Sequence, residues 1–75
     1  FVNESRDPMW VASDNHPTHK IYPGSNIKKC DSDKKSEIFD QCEGGNNYTF
    51  TFNELGTWDY HNHLRPGDGG TVVVK

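Results

Sequence analysis

Tyr48-Thr49-Phe50-Thr51-Phe52 and, after Asn53-Glu54-Leu55-Gly56, Thr57-Trp58-Asp59-Tyr60-His61 decide the fold class. The first stretch carries an aromatic ring at every second position, the period of a strand with one buried face. The second resumes the alternation, with Trp58 and Tyr60 on one face and Thr57, Asp59 and His61 on the other. Arg65-Pro66-Gly67-Asp68-Gly69-Gly70 combines a rigid φ with three glycines and is expected as a loop, after which Thr71-Val72-Val73-Val74 closes as a β-branched strand. That strand is expected to be buried on both sides or to lie at a sandwich edge. Upstream, Met9-Trp10-Val11-Ala12 is a short apolar run ended by the turn formers Ser13-Asp14-Asn15. Between Pro23 and Gly45 there is little periodicity, although Lys34 to Gln41 fits a turn or two of helix that packs Ile38 and Phe39 inward. Short strands, frequent turn signals and almost no helix predict an all-β sandwich or barrel.

The chain of 75 residues has room for one domain, 1–75, and its apolar fraction of 31% is thin for a core. Nine aromatics offset this in part, because each buries a large area. Trp10, Phe52, Trp58 and Tyr60 read as core. A formal charge of −3 argues against a nucleic-acid partner, which selects for a basic face. The lysines at 28, 29, 34 and 35 alternate with Asp31 and Asp33 and read as a solvated loop. No apolar run has the roughly 20 residues of a membrane span. The chain opens on Phe1 without an initiating methionine, as expected of a mature or trimmed product.

Cys30 and Cys42 enclose eleven residues rich in Asp, Lys and Ser, with no second cysteine pair and no histidine beside either thiol. That spacing favours a disulfide over a zinc knuckle, so an insertion around 23–45 is expected to be stapled by Cys30–Cys42 in an oxidising, extracytoplasmic setting: secreted, periplasmic or at the cell surface. The triplets Asn3-Glu4-Ser5 and Asn47-Tyr48-Thr49 fit glycosylation acceptors, a pattern common by chance.

All four histidines fall in two tight pairs, His16-Pro17-Thr18-His19 and His61-Asn62-His63. Neutral imidazole is the commonest protein ligand for copper, zinc and nickel, so His16, His19, His61 and His63 are the expected metal ligands. Pro17 biases His16 away from helical dihedrals, and an extended or polyproline-like His16–His19 would put both rings on one side. A strand continuing through residues 61–63 would do the same for the second pair. Asp14, Asn15 or Asn62 are candidates to fix a ring tautomer, with Asn62 read as a strand-end residue rather than a ligand. Four nitrogens without sulfur suit Cu(II), which heads the divalent affinity series, and Zn(II) or Ni(II) less selectively. Asp59 and Glu54 show no evident acid–base pairing, and no catalytic triad, phosphate loop or dinucleotide fingerprint is present.

The segments Tyr48–Phe52, Gly56–His61 and Gly70–Val74 together resemble the C-terminal half of a cupredoxin domain, whose pattern runs Y-x-F-x-F, G-T-Y-x-Y-H-C, H-P, G-x-V-x-V. The opening Phe1-Val2-Asn3 resembles that family's strand before its first histidine. The likeness implies a Greek-key β-sandwich lacking its N-terminal strand or strands, with an exposed edge that a missing segment or a partner, including a second copy, would cover. The family's blue-copper cysteine falls at Asn62 and its following histidine at Arg65, and the axial methionine has no counterpart in Arg65–Gly70. No thiolate means no blue centre. The histidine pairs further resemble the H-P-x-H-x-H and H-C-H motifs of the last domain of multicopper oxidases, with Ile21 in place of the third histidine of the first motif and Asn62 in place of the cysteine. By that likeness His61, His63 and His19 face one metal, and His16 joins them or belongs to the emptied blue-copper position.

These readings predict a copper-binding cupredoxin-like protein with an all-histidine site, working in electron transfer or copper handling, with copper as cofactor and a redox protein as partner. An oxidase- or reductase-type copper enzyme with its site at a subunit interface is the second reading. A structural extracellular β-sandwich with a relic site is the third.

Overall fold

The computed structural model describes all residues, Phe1–Lys75. It contains strands and two short 3-10 turns and no α-helix. Strands β1 (Val11–Ser13), β2 (Gly56–Asn62) and β3 (Arg65–Val74) form one antiparallel sheet in the order β1-β2-β3. β2 is central because its alternation gives it a face to bury, and β1 pairs to it through Val11↔Asn62, Ala12↔His61 and Ser13↔Tyr60. The far edge of β1 is bonded by an irregular strip, Phe39 to Gly45. The bonds run from Ser13 N to Phe39 O (2.8 Å), Gln41 N to Val11 O (2.7 Å) and reciprocally between Met9 and Gly45 (2.8 Å). That strip continues into pairing between Phe1 and Tyr48, whose backbones exchange two hydrogen bonds.

The core is small and aromatic. Val11, Tyr22 and Phe39 are buried together, and Met9, Tyr48, Phe50, Phe52, Trp58 and Tyr60 pack around them. Tyr22 sits edge-on to Phe39, Phe50, Phe52 and Trp58 at centroid distances of 5.1–5.9 Å, the arrangement ring quadrupoles favour. Its hydroxyl accepts bonds from the Asn53 and Glu54 amides and so fixes the turn before β2. Trp10 departs from the expected core role: it lies outside this cluster, beside the histidines.

Three expectations of local structure change, and a fourth, the placement of the valine run, resolves to one of its two alternatives. Tyr48–Phe52 turns its aromatics inward and its threonines outward as read, but Thr49–Phe52 makes no backbone–backbone hydrogen bond, so packing and not a ladder holds it extended. The helical turn is a 3-10 turn at Lys35–Glu37, and Ile38 and Phe39 are buried after it, not on it. Arg65–Gly70, expected as a loop, is part of β3, folded back by a two-residue turn at His63-Leu64. The glycines permit this: pairing runs Asn62↔Arg65 and then His61↔Gly69, leaving Pro66, Gly67 and Asp68 as a bulge. The valine run lies at the sheet edge, with Val73 exposed and Val72 and Val74 turned inward.

The Cys30–Cys42 disulfide is formed, with Cα atoms 5.4 Å apart. It ties the excursion that carries the two 3-10 turns back to the strip beside β1.

Gly70 faces the Tyr60 ring across β2 and β3, where an added Cβ would lie 2.6 Å from the hydroxyl oxygen; at Gly67 nothing lies within 4 Å. Gly70→Val is expected to cost about 1–3 kcal/mol, and Gly67→Ala within about 0.5 kcal/mol of nothing. Thermal unfolding followed by circular dichroism checks the pair, and equal melting temperatures would refute the contact.

Candidate metal centre

All four imidazoles converge at one end of the sheet. His61 comes from the end of β2 and His63 from the turn after it, while His16 and His19 come from the loop leaving β1. One ring nitrogen from each of the four lies within 4.8 Å of the other three.

The loop reaches the site by a tighter route than expected. Residues 16–18 form a turn, not a polyproline-like segment. Asn15 gathers it, its carbonyl accepting the His19 amide at 2.7 Å and its side-chain oxygen accepting the Thr18 hydroxyl at 3.0 Å. Such local bonds outcompete a solvated extended chain. His19 then adopts a left-handed φ of 60°, a conformation histidine tolerates better than most residues, and its ring is fully buried.

Two carboxylates fix the two buried rings. His19 Nδ1 lies 2.6 Å from Asp40 Oδ2, with both side chains wholly buried, and His61 Nδ1 lies 2.7 Å from Asp14 Oδ1. A carboxylate only accepts, so each Nδ1 carries the proton and each Nε2 presents a lone pair. Asp14 takes the role that its sequence position suggests, Asp40 takes the same role without any such signal, and Asn15 and Asn62 serve other bonds. Asn62 Oδ1 accepts the amides of Trp10 (2.9 Å) and Leu64 (3.1 Å), which joins the start of β1 to the hairpin turn.

Asp40 is the most heavily bonded side chain of the centre. Its Oδ1 accepts the Trp10 indole N–H at 2.6 Å and the Cys42 amide at 2.9 Å, while Oδ2 serves His19. Burial pushes the carboxyl up, but the bonds from His19, Trp10 and the Cys42 amide together hold it below the usual carboxylate value. The Trp10 ring also packs on His63 at 4.5 Å, so one tryptophan braces both the carboxylate behind His19 and a second imidazole. Nothing in the sequence near His19 marks Asp40, which is 21 residues away.

The decisive geometry is among the free nitrogens. His61 Nε2 is 3.1 Å from His19 Nε2, and His63 Nδ1 is 3.0 Å from that same His19 Nε2. With both Nδ1 protons given to carboxylates, a neutral cluster has only the His63 proton left to place between these atoms. At most one of the two short contacts is then a hydrogen bond, and the other sets lone pair against lone pair. A shared cation would resolve both. Nitrogens about 2.0–2.1 Å from one ion, at angles of roughly 90–110°, lie about 2.8–3.4 Å apart, a range that holds both contacts. A second group, Cys30, Asp40 and Cys42, also lies within ligating distance, but its sulfurs are joined in the disulfide.

Compared with protein-family models, curated proteins and solved structures, the chain matches none of them.

Burial lowers the His63 value below the ordinary 6.5, and the neighbouring His19 and His16 lower it further against an opposing pull from Asp40. In the metal-free protein the unfolded chain therefore takes up this proton first as pH falls below 6.5, and stability drops with it. Asp40, depressed instead, contributes stability present above its ordinary 3.8 and lost only as pH falls through its lower folded value. The urea midpoint of the metal-free protein is expected to be lower at about pH 5 than at about pH 7.5, with a shallower decline in His63→Gln. A decline of equal slope in the variant would contradict the role given to His63.

Proposed function

We propose that this protein binds copper through His16, His19, His61 and His63 and serves in copper handling or electron transfer, on a cupredoxin-like Greek-key sandwich. The observation that carries the reading is the approach of His61 Nε2 and His63 Nδ1 to His19 Nε2, at 3.1 and 3.0 Å, with two tautomers already fixed by carboxylates. Imidazole backed by carboxylate is a more basic and better oriented donor. An all-nitrogen set without thiolate suits Cu(II) in a tetragonal field, and the divalent affinity order favours copper over zinc. The fold assignment is supported by the antiparallel sheet, the inward aromatics of Tyr48–Phe52 and the placement of both histidine pairs at one end. All four donors belong to one chain, so the reading does not need a site built between subunits. The disulfide supports an extracytoplasmic setting, and no helix is long and apolar enough to cross a membrane.

The expected result is one copper per chain by elemental analysis, with a type 2 paramagnetic resonance spectrum and no intense thiolate absorption. His61→Ala is expected to lose stoichiometric copper while Glu54→Ala keeps it. Imidazoles must shed protons to ligate, so copper is expected to leave as pH falls through about 6. Copper retained in full at about pH 3, well below the histidine reference value, would refute imidazole ligation.

A further inference from the structure

The four imidazoles are not held alike. His19 and His61 are buried and each gives its Nδ1 proton to a carboxylate, and His63 is packed on Trp10 with its backbone N–H bonded to the Trp10 carbonyl at 2.7 Å. His16 is exposed, and its ring makes no hydrogen bond. It stands at the mouth of the cluster, 4.9 Å from the His63 ring, 5.4 Å from His61 and 6.2 Å from His19, measured between centroids.

Resting on the copper reading, we infer that His16 is the displaceable ligand of the site, and that copper is passed on by ligand exchange at its position with an incoming imidazole donor from outside the chain. Withdrawing His19 or His61 would strand a carboxylate that the ring now satisfies, and Asp40 is wholly buried, where an unpaired charge is costly. Withdrawing His63 would strip the packing on Trp10. Swinging His16 outward breaks no bond within the protein and frees rotamers in solvent. In the exchange the bond from copper to the His16 nitrogen breaks and one to the incoming imidazole nitrogen forms. Both rings are neutral throughout, no electron moves, and the displaced His16 is solvated. The donor class follows from the site: the other three positions are imidazole, and a fourth nitrogen of the same kind keeps the coordination Cu(II) prefers.

The test compares copper-loaded wild type, His16→Ala and His61→Ala, with free imidazole as the probe. His16→Ala is expected to keep one copper per chain, to show an altered type 2 spectrum that millimolar imidazole returns toward that of wild type, and to lose copper to EDTA at least about tenfold faster. Loss of stoichiometric copper in His16→Ala to the same extent as in His61→Ala would overturn the inference, because His16 would then be indispensable. A His16→Ala spectrum identical to wild type and unmoved by imidazole would overturn it too, because His16 would not be a ligand. Failure of the wild type itself to bind copper would instead sink the underlying metal reading, and the two failures are told apart in the same experiment.

Discussion

The buried bond between His19 and Asp40 is the interaction on which the rest of the centre depends. Both side chains are fully removed from solvent, and the bond joins two otherwise separate parts of the chain: the loop leaving β1 and the strip along its outer edge. A lone buried carboxylate would be expensive, and a lone buried imidazole of free tautomer would have no preferred direction for its lone pair. Together they resolve each other, and the Trp10 indole and Cys42 amide satisfy the other oxygen of Asp40, Oδ1. The outcome is a ring whose Nε2 points at two other imidazoles and has nothing else to do.

The β2–β3 hairpin supplies the opposing half. His61 is buried on the face opposite Trp58 and Tyr60, so the period of two that packs the core with those rings delivers His61 to the histidine cluster, while Thr57 and Asp59 on the same face as His61 are exposed. Beyond Asn62 the strand gives way to a turn, and His63 reaches the centre from it because its amide is bonded to Trp10 O and its ring rests on the Trp10 indole. Asn62, between the two histidines, uses its side chain to bond the residue before β1 and the turn. The position has a structural task here.

Much of this was legible in the residues. Alternation over Thr57–His61 fixes which side of β2 each residue occupies, the paired histidines mark the centre, and the two cysteines mark the disulfide. What stayed hidden was set by tertiary bonds. Asp40 sits in a polar, aperiodic stretch and becomes significant only when the Phe39–Gly45 strip aligns with β1. Trp10 reads as core by hydrophobicity, yet its indole N–H needs an acceptor and finds one in Asp40. Arg65–Gly70 reads as a loop because proline and glycine favour turns, and the bulge lets those same residues finish a strand. For Tyr48–Phe52 the side-chain pattern is right and the expected ladder is not, since period two reports which face is buried and says nothing of hydrogen-bonded neighbours.

The thinness of the core gives the centre a second consequence. Only ten residues are buried, and half of them, Ser13, His19, Ser25, Asp40 and His61, are polar. Three of those five belong to the histidine cluster or bond its rings, so beside the aromatic core a second part of the interior is organised by hydrogen bonds directed at the imidazoles. An ion bound there would fasten the 16–19 loop and the hairpin to each other, and through Asp40 the disulfide-anchored strip, at the place where the aromatic cluster does not reach. Because only the folded chain assembles these donors, binding would add to stability by mass action, about 2.7 kcal/mol at a free ion concentration one hundred times Kd. For a domain this small that is a large fraction of the whole, and the same geometry would then serve both ligation and the cohesion of the fold.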